Sequence, residues 1–586
     1  MTRKTAKRDR VLQAAWLLLA GIVFGLVIAI CIRLLGIPLE RDEGEYAYAG
    51  QLMLEGVPPY KLAYNMKFPG TYAAYAVIMA IFGQTIAGIH LGLLLVNLAT
   101  ITLIFFLGRR LFSVPAGVAA ATAYAVLCMS PSVLGLAAHA EHFVMLPVLG
   151  GTLLLLNQSD GRGRARLVKP IRQRVSTRLA NRRDAIVVGR DRWARRMEPT
   201  SQGAVTAIYE MSHGRLFASG LLFGIGLLMK QPAVFFILFG AIYLLSHDIR
   251  RGFSLKRIAL PILTFSAGAT LPFGLTCLLL WHASVFDKFW FWTIDYARQY
   301  GSLIPLGEAP DMFTQSVKQV IGPGWALWAL AGFGLVAGLR HKETRTSTEI
   351  LLGLLAASGL ALSSGFYFRN HYFVLVLPAV SLLAGVAISR LSDVVASRTT
   401  VIRLVPLLVL GAALSLPVFA SRKLFFEVSP AEASRTIYAG NPFPESIRIA
   451  EYVRDHSSPS DTIAVLGSEP QIYFYSKRHS ATGYIYTYGL MEAQSYARQM
   501  QEEMIRQIES ARPKYLIWIS VSTSWGRRPA SEGLILAWSN DYIQRFYDVV
   551  GIVNILSPDH TDYYFDQLPR PMPPLVNYIF ICRRKS

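Results

Sequence analysis

The chain has 586 residues, of which 53% are hydrophobic and only 16% are charged, and its mean hydropathy is +0.37. This composition fits a membrane protein with many helices better than a large soluble core. The formal net charge is +21, yet residues 421–586 hold 18 basic and 17 acidic side chains and so carry only +1. The remaining +20 belongs to the apolar part and its loops, where basic residues mark the cytoplasmic side, so a nucleic-acid partner is not expected.

The N-terminal part begins with a basic segment and an uncharged run at 11–32 that is long enough to cross a bilayer. No small-residue cleavage site follows this run, so we predict a retained membrane span and not a signal peptide. The next apolar stretch is too long for one crossing and predicts a surface-lying helix at about 71–83 and a second span at about 86–108. Spans three and four are predicted at about 112–130 and 142–157.

A strongly basic segment interrupts this pattern at residues 158–214, where 13 basic and 5 acidic side chains predict a cytoplasmic insertion. Two short helices are expected after it, with a break at Lys230-Gln231-Pro232, because proline removes a backbone hydrogen-bond donor. Five more spans are predicted at about 258–281, 322–339, 349–365, 372–389 and 404–420. From a cytoplasmic N terminus, eleven crossings place the residues after 420 outside.

Residues 421–586 have the character of a soluble domain. The stretch 461–476 predicts a buried strand and a turn, and the stretch 492–520 predicts an amphipathic helix that leads into a strand. Alternating helices and strands indicate a small α/β domain. We therefore predict a polytopic α-helical membrane protein with about 11 transmembrane helices, formed by residues 1–420, and a small C-terminal α/β extracytoplasmic domain, formed by residues 421–586.

Unusual polar groups at membrane depth all fall on the predicted external side. Carboxylates and cations that converge at one membrane face suit the reaction of an anionic, lipid-linked reactant. If this reactant is a sugar on a polyprenyl phosphate, cations or a metal must neutralise the departing phosphate, and the attacking hydroxyl needs a carboxylate base. Asp42 fits the base, and Lys67 and Arg369 fit the phosphate contacts. The whole group comprises Asp42, Glu43, Lys67, His139, Glu141, His142, Lys230, Arg369 and His371.

Each of these residues also has an ordinary structural explanation. An acidic pair in a first external loop is often only solvated, and Lys67 and Arg369 fit side chains that extend along the membrane to reach the headgroups. Lys230 fits a partner for a buried carboxylate, and the histidines fit hydrogen bonds at helix ends. No cofactor is certain from the sequence, which leaves open whether a divalent metal takes part. Its candidate ligands are Glu43, His139 and Glu141.

The segment 41–75, RDEGEYAYAGQLMLEGVPPYKLAYNMKFPGTYAAY, resembles the first external loop of GT-C glycosyltransferases related to protein O-mannosyltransferases and lipid A aminoarabinose transferases. In that family an Asp opens the loop, Y-A follows, and a K-x-P element precedes an aromatic surface helix. Asp42, Tyr46 and Lys67-Phe68-Pro69 match this order. The stretches AHAEHFVMLP and FRNHYFVLVLPAVSLLAG resemble two later family segments, and the whole resemblance covers roughly residues 35–390.

This resemblance implies that Asp42 is the catalytic base and that Lys67 and Arg369 contact the lipid phosphate. Met66 stands where the aminoarabinose transferases tend to have Glu before the lysine, which leaves any role of that Glu unsupported here. The further candidate site residues are Glu43, Tyr46, Glu141, Lys230 and His371.

We therefore predict an inverting glycosyltransferase of the inner (cytoplasmic) membrane, with its site and C-terminal domain on the periplasmic, external side. The donor would be a polyprenyl-phosphate-linked sugar, and the acceptor a lipid, a glycan or a protein. The sequence selects neither the sugar nor the acceptor. A transporter or flippase of lipid-linked sugars is the alternative, although paired inverted repeats and ionisable residues near the bilayer midplane are not evident. A membrane-anchored binding protein would leave the loop that carries Asp42 and Lys67 unexplained.

Overall fold

Apolar runs without charge form helices because every backbone polar group in a bilayer must find its partner within its own segment. In the computed structural model, which describes residues 3–159, 212–250 and 255–585, each of the eleven predicted spans overlaps a helix. The basic insertion predicted at 158–214 lies almost wholly outside the described residues. Helices of the membrane part are α1 Arg3–Arg33, α2 Arg41–Leu54, α3 Gly70–Phe82, α4 Ile86–Leu111, α5 Val114–Cys128, α6 Ala140–Ser159, α7 His213–Met229, α8 Val234–Ile249, α9 Leu255–His282, α10 Phe286–Trp290, α11 Ala297–Tyr300, α12 Ala309–Ile321, α13 Trp325–Arg340, α14 Arg345–Leu362, α15 Leu377–Val395 and α16 Val405–Ala420.

Six helical stretches in the described ranges are long and apolar enough to cross a membrane, and five shorter apolar helices of 10–17 residues accompany them. Helices α7 and α8 are separated by a 3₁₀ turn at Gln231–Ala233, as the proline predicted. The prediction of a polytopic helical membrane protein is thus confirmed. The six long stretches are Arg10–Arg33, Ile86–Leu111, Ile258–His282, Ala309–Arg340, Leu377–Val395 and Ile402–Ala420.

Helix α15 is the central helix of the membrane part and packs against both α5 and α13. Close approach depends on small residues: a Cβ at Gly334 would lie 1.9 Å from the carbonyl oxygen of Leu383, and one at Gly385 would lie 2.4 Å from that of Ala116. Backbones that come this near can be packed only through glycine. This packing holds α15 tightly against its neighbours, and the loop before the helix carries two of the candidate site residues, Arg369 and His371.

The C-terminal part contains a five-stranded sheet in the order β1-β2-β5-β3-β4, in which β1 and β2 are parallel and the other neighbours are antiparallel. This arrangement confirms the predicted small α/β domain. Its elements are α17 Arg422–Phe426, α18 Pro430–Tyr438, α19 Phe443–Asp455, β1 Ile463–Leu466, α20 Gln471–Ser476, α21 Tyr488–Met491, α22 Ala497–Ala511, β2 Tyr515–Ser520, α23 Ser522–Trp525, α24 Leu534–Phe546, β3 Tyr547–Ser557, β4 His560–Phe565 and β5 Asn577–Arg584.

Strand β1 is buried on both faces of the sheet, and its side chains alternate between those faces. Ile463 and Val465 of β1 share a core with α19, α20 and, notably, helices α2 and α3 of the membrane part. Ala464 and Leu466 face the other way, toward α22 and α24. The C-terminal sheet therefore packs directly on helices α2 and α3, and its core is continuous with theirs.

Candidate functional site

The N terminus of helix α2 is capped reciprocally by two glutamates, Glu40 and Glu43. The Glu40 carboxylate accepts the backbone N–H of Glu43 at 2.9 Å, and the Glu43 carboxylate accepts that of Glu40 at 3.2 Å. Glu43 also contacts the His90 ring at 3.0 Å and accepts the backbone N–H of Ala138 at 2.7 Å. These contacts hold Glu43 in the protein interior, where it joins α2 to α4 and to the loop before α6.

The side chains of Asp42 and Glu45 project from another side of α2, and both contact Lys67. The Lys67 Nζ lies 3.0 Å from Asp42 Oδ1 and 3.0 Å from Glu45 Oε2, and 4.5 Å above the ring of Tyr46. Glu45 is buried, with 1% of its side chain exposed, and it also accepts the hydroxyl of Tyr72 at 2.6 Å. Asp42 keeps 17% of its side chain exposed, so it is the carboxylate of this pair that a ligand can reach.

The two carboxylates differ in their electrostatics as well. Burial by itself would raise the pKa of Asp42, but the charges of Lys67 and His139 and the hydrogen bond from Lys67 outweigh it and hold that pKa well below its usual value. For Glu45 burial prevails over the attraction of Lys67, and its pKa is raised. Asp42 is therefore an ionised carboxylate at neutral pH.

A cavity of about 650 Å³ opens beside this cluster, between the membrane part and the C-terminal domain. It is lined by six of the residues singled out from the sequence: Asp42, Tyr46, Lys67, Lys230, Arg369 and His371. Glu43, His139 and Glu141 do not line it. The structure thus brings together residues that are more than 300 positions apart in the chain.

Arg369 contributes an exposed cation to the cavity wall. Its guanidinium lies 5.4 Å from the centre of the Tyr367 ring, beside Tyr300, whose own ring stacks on Tyr367 at 4.5 Å. Arg369 forms no ion pair with any residue in the described part of the chain. An exposed arginine without a carboxylate partner at a cavity wall is a ready contact for an anion.

The break between α7 and α8 supplies a further polar contact to the cavity. Lys230 pairs with Glu141, and its Nζ also lies 3.7 Å above the ring of Tyr372. The side-chain amide of Gln231 donates to the backbone carbonyl of Met66, the residue before Lys67. The helix break therefore supports the loop that carries Lys67, and Lys230 already has a carboxylate partner.

A pair of histidines lies behind Asp42. The rings of His139 and His371 stack at 4.2 Å with an angle of 9°, and ligand atoms of both lie within 4.8 Å of each other and of an Asp42 oxygen. Both nitrogens of His139 and Nδ1 of His371 are buried without a hydrogen-bond partner in the described chain. Burial, together with the neighbouring positive charges, lowers the pKa of His371, so it is neutral.

These donor atoms are of the types that bind zinc or other divalent metals. Their orientation does not fit, because the lone pairs of two parallel, stacked imidazoles point in parallel planes and do not converge on one ion. Coordination would require one ring to rotate out of the stack. Of the metal-ligand candidates from the sequence, only His139 belongs to this group, since Glu43 and Glu141 are held by other partners.

The C-terminal domain contributes residues that the sequence interpretation missed. The hydroxyl of Tyr486 donates to Asp42 Oδ1 at 3.4 Å, and Tyr488, Gly489 and Glu492 line the same cavity. The aromatic run YIYTYG at 484–489 was a visible signal. It could not be assigned to the site without knowing that the domain folds back onto α2.

Comparison of the sequence with protein-family models gives no match, and no curated protein matches it either. Solved structures do match in fold. The apo structure of ArnT from Cupriavidus metallidurans aligns with a TM-score of 0.54 and 16% identity over 97% of this chain and 98% of that one. The archaeal oligosaccharyltransferase AglB from Archaeoglobus fulgidus, in complex with an inhibitory peptide and a dolichol-phosphate, aligns with a TM-score of 0.51 and 13% identity over 97% of this chain and 76% of that one.

A second ArnT structure, bound to undecaprenyl phosphate, gives a TM-score of 0.50 with 16% identity over 97% of both chains. ArnT and AglB are GT-C glycosyltransferases, so the chain has the GT-C membrane fold with a small C-terminal domain. The predicted resemblance is confirmed at the level of the fold.

Proposed function

We propose that the protein is a membrane glycosyltransferase that takes a sugar from a polyprenyl-phosphate donor. The observation that carries this proposal is the single cavity onto which an ionised carboxylate, Asp42, and two cations, Lys67 and Arg369, converge. The undecaprenyl phosphate and dolichol-phosphate bound to proteins of the same fold are consistent with a lipid-phosphate ligand. A transporter of lipid-linked sugars has no need of a base at this position.

In the proposed reaction Asp42 removes the proton of an acceptor hydroxyl as its oxygen attacks the anomeric carbon of the sugar. The bond from that carbon to the phosphate oxygen breaks, and its electron pair leaves with the lipid phosphate. Lys67 and Arg369 stabilise the charge that develops there. One direct displacement inverts the anomeric configuration.

Lys67 takes part both in the removal of the acceptor proton by Asp42 and in the departure of the lipid phosphate. The charge of Lys67 lowers the basicity of Asp42. A phosphate that shares Lys67 would weaken this attraction and make Asp42 a stronger base when the donor is bound. The base would thus become effective in the presence of substrate, which limits side reactions with water.

The remaining features of the proposal concern the setting. We propose a domain boundary near residue 420, a site on the external side of the membrane, and an acceptor that is a lipid, a glycan or a protein. In a bacterial cell this corresponds to the inner membrane with the site facing the periplasm. No step of the reaction is assigned to a metal.

Asp42→Asn tests the proposal. It should leave the protein folded and lower sugar transfer by about 10²-fold or more, the usual cost of losing a general base. The measurement is transfer from defined polyprenyl-phosphate sugars by purified protein in detergent, with analysis of products. Glu55→Gln is a matched control, because Glu55 is exposed at the end of the same helix and its carboxylate pairs with His479 at 2.6 Å, away from the cavity. Transfer by Asp42→Asn at the wild-type rate would refute the base.

A further inference from the structure

One carboxylate on the cavity wall has no place in the reaction described so far. Glu492 follows α21 in the C-terminal domain, and only 8% of the residue is exposed. Its Oε2 accepts the hydroxyl of Tyr296 at 2.5 Å, whereas Oε1 has no hydrogen-bond partner in the described chain. This free oxygen is not enclosed by the protein, so it opens into the cavity and is available to accept hydrogen bonds from a ligand.

The surroundings of Glu492 hold it in place and aim it at the cavity. Tyr296, which fixes Oε2, is buried in the aromatic segment between α10 and α11. The adjoining Gly489 leaves no room for another side chain, since a Cβ there would lie 2.9 Å from the Tyr296 hydroxyl oxygen. Burial raises the pKa of Glu492, while the hydrogen bond from Tyr296 and the charge of Arg369 oppose that shift. The side chain is therefore preorganised rather than free to turn toward solvent.

We infer that Glu492 is a sugar-recognition residue supplied by the C-terminal domain, and that its free oxygen accepts hydrogen bonds from a hydroxyl or ammonium group of the donor sugar. This inference rests on the proposed function. Arg369 is close enough to influence Glu492 electrostatically, and the same cavity holds Asp42. A sugar whose phosphate contacts Arg369 and whose anomeric carbon faces Asp42 would occupy the cavity that Glu492 also lines.

The aromatic rings around Glu492 favour a sugar over a simple ion. Tyr296, Tyr300 and Tyr488 line the same part of the cavity, and rings of this kind pack against the apolar faces of sugars while their hydroxyls remain available for hydrogen bonds. A site built to hydrogen-bond a substrate hydroxyl rejects analogues that lack it strongly, because its own buried polar group is then left unpaired. Glu492 would thus select among sugars, whereas Lys67 and Arg369 recognise the phosphate common to all donors.

The test compares five ligands, one without a sugar and four that each carry a different sugar. One is polyprenyl phosphate itself, and the others are non-hydrolysable phosphonate analogues that carry mannose, glucose, galactose or an amino-pentose. Binding to wild-type protein, Glu492→Gln and Glu492→Ala is measured in detergent by isothermal calorimetry. Glu492→Gln should weaken binding of the best sugar-bearing analogue by about 10-fold and Glu492→Ala by more, because a charge-assisted hydrogen bond is lost. Binding of plain polyprenyl phosphate should stay unchanged in both variants.

Glu509→Gln is the matched control, because Glu509 lies on α22 of the same domain, outside the cavity, and accepts the indole N–H of Trp538 at 2.8 Å. Equal binding of sugar-bearing ligands by wild type and both Glu492 variants would overturn the inference, as would a parallel loss of polyprenyl phosphate binding. A raised KM for the acceptor with unchanged donor binding would overturn it too and assign Glu492 to the acceptor. If the wild-type protein binds neither class of ligand, the proposed function itself fails.

Discussion

Lys67 forms ion pairs with two carboxylates, of which Glu45 is buried and Asp42 is partly exposed. These two contacts fix the position of Lys67 and the protonation state of Asp42. Glu45 is buried and fixed by Tyr72, so its role is to hold Lys67 at the cavity wall. Asp42 is the partner that a substrate can reach. A single lysine therefore positions a cation for the donor and sets the protonation state of the proposed base.

This arrangement predicts the pH dependence of transfer. With Lys67 in place, the pKa of Asp42 lies well below its usual value, so kcat/KM should have no acid limb near neutral pH. Lys67→Met removes the main attraction that opposes burial, the pKa of Asp42 rises, and the acid limb of the residual activity should move to higher pH. The profile of Lys61→Met, which removes an exposed lysine of the same loop, should match that of wild type. An acid limb that does not move would show that Asp42 is not the titrating group.

The two cations of the cavity should act as one phosphate contact. Lys67→Ala and Arg369→Ala should each lower kcat/KM by about 10–10³-fold, because the charge on the departing phosphate loses a partner. Lys67→Arg should restore only part of the loss, since a planar guanidinium does not replace a compact ammonium. If both residues contact the same phosphate, the double variant should be less than multiplicatively worse in a double-mutant cycle with one donor. Purely multiplicative losses would mean that the two cations act independently.

The sequence was informative about which side chains are unusual and uninformative about their partners. Asp42, Lys67 and Arg369 stood out because charge at a membrane surface is costly. Glu45 did not stand out, although it contacts Lys67 directly, because nothing in the sequence distinguishes it from Glu43. Which of the two contacts Lys67 depends on the capping of α2 and on His90, which binds Glu43 from 47 positions away.

At the scale of elements, α2 is held by the C-terminal domain through Arg41, the neighbour of Asp42. Its Nη2 lies 3.0 Å from Glu469, which is fully buried, and its Nε donates to the carbonyl of Ser468 at 2.6 Å. The guanidinium also packs near the rings of Phe443 and Tyr488, at 5.4 and 5.2 Å. Such a buried, fully hydrogen-bonded pair fixes the first turn of α2 against the domain.

Breaking the ion pair between Arg41 and Glu469 should destabilise the folded protein. Glu469→Gln leaves the Arg41 charge buried with a neutral partner and should reduce the free energy of unfolding by about 3–5 kcal/mol. Thermal and chemical unfolding in detergent would measure the loss. The matched control is Asp541→Asn, which removes the exposed pair with Arg545 at 3.1 Å and should cost less than about 0.5 kcal/mol. Equal stability of the two variants would contradict a structural role for the Arg41–Glu469 contact.

Elements were predictable to very different degrees. Hydropathy predicted the apolar helices, and Pro232 predicted the break between α7 and α8, because these signals are local. The packing of the sheet on α2 and α3 was not predictable, since it joins residues separated by about 400 positions. The cavity is formed between these two parts, and so the sequence revealed its membrane half and missed Tyr486, Tyr488 and Glu492.

At the scale of the whole molecule, the proposed reaction takes place on one particular side of the membrane. The cavity lies on the same side as the C-terminal domain, because both parts line it. Loop charges predict that this side is external, since basic residues gather at the opposite ends of the spans. If the domain were cytoplasmic, the donor sugar would have to be presented on the other leaflet, and every external acceptor would be excluded.

Labelling of single cysteines tests this orientation. In a variant without Cys31, Cys128, Cys277 and Cys582, one cysteine replaces Arg498 of α22 and, in a second protein, one replaces Lys342 between α13 and α14; the side chains of Arg498 and Lys342 are both exposed. A membrane-impermeant maleimide added to intact cells should label position 498 and not position 342, because the loop at 342 is basic and predicted to be cytoplasmic. Permeabilised cells should be labelled at both positions, which controls for reactivity. Labelling of 342 alone in intact cells would reverse the orientation and place the site, with Asp42, Lys67 and Arg369, on the cytoplasmic face.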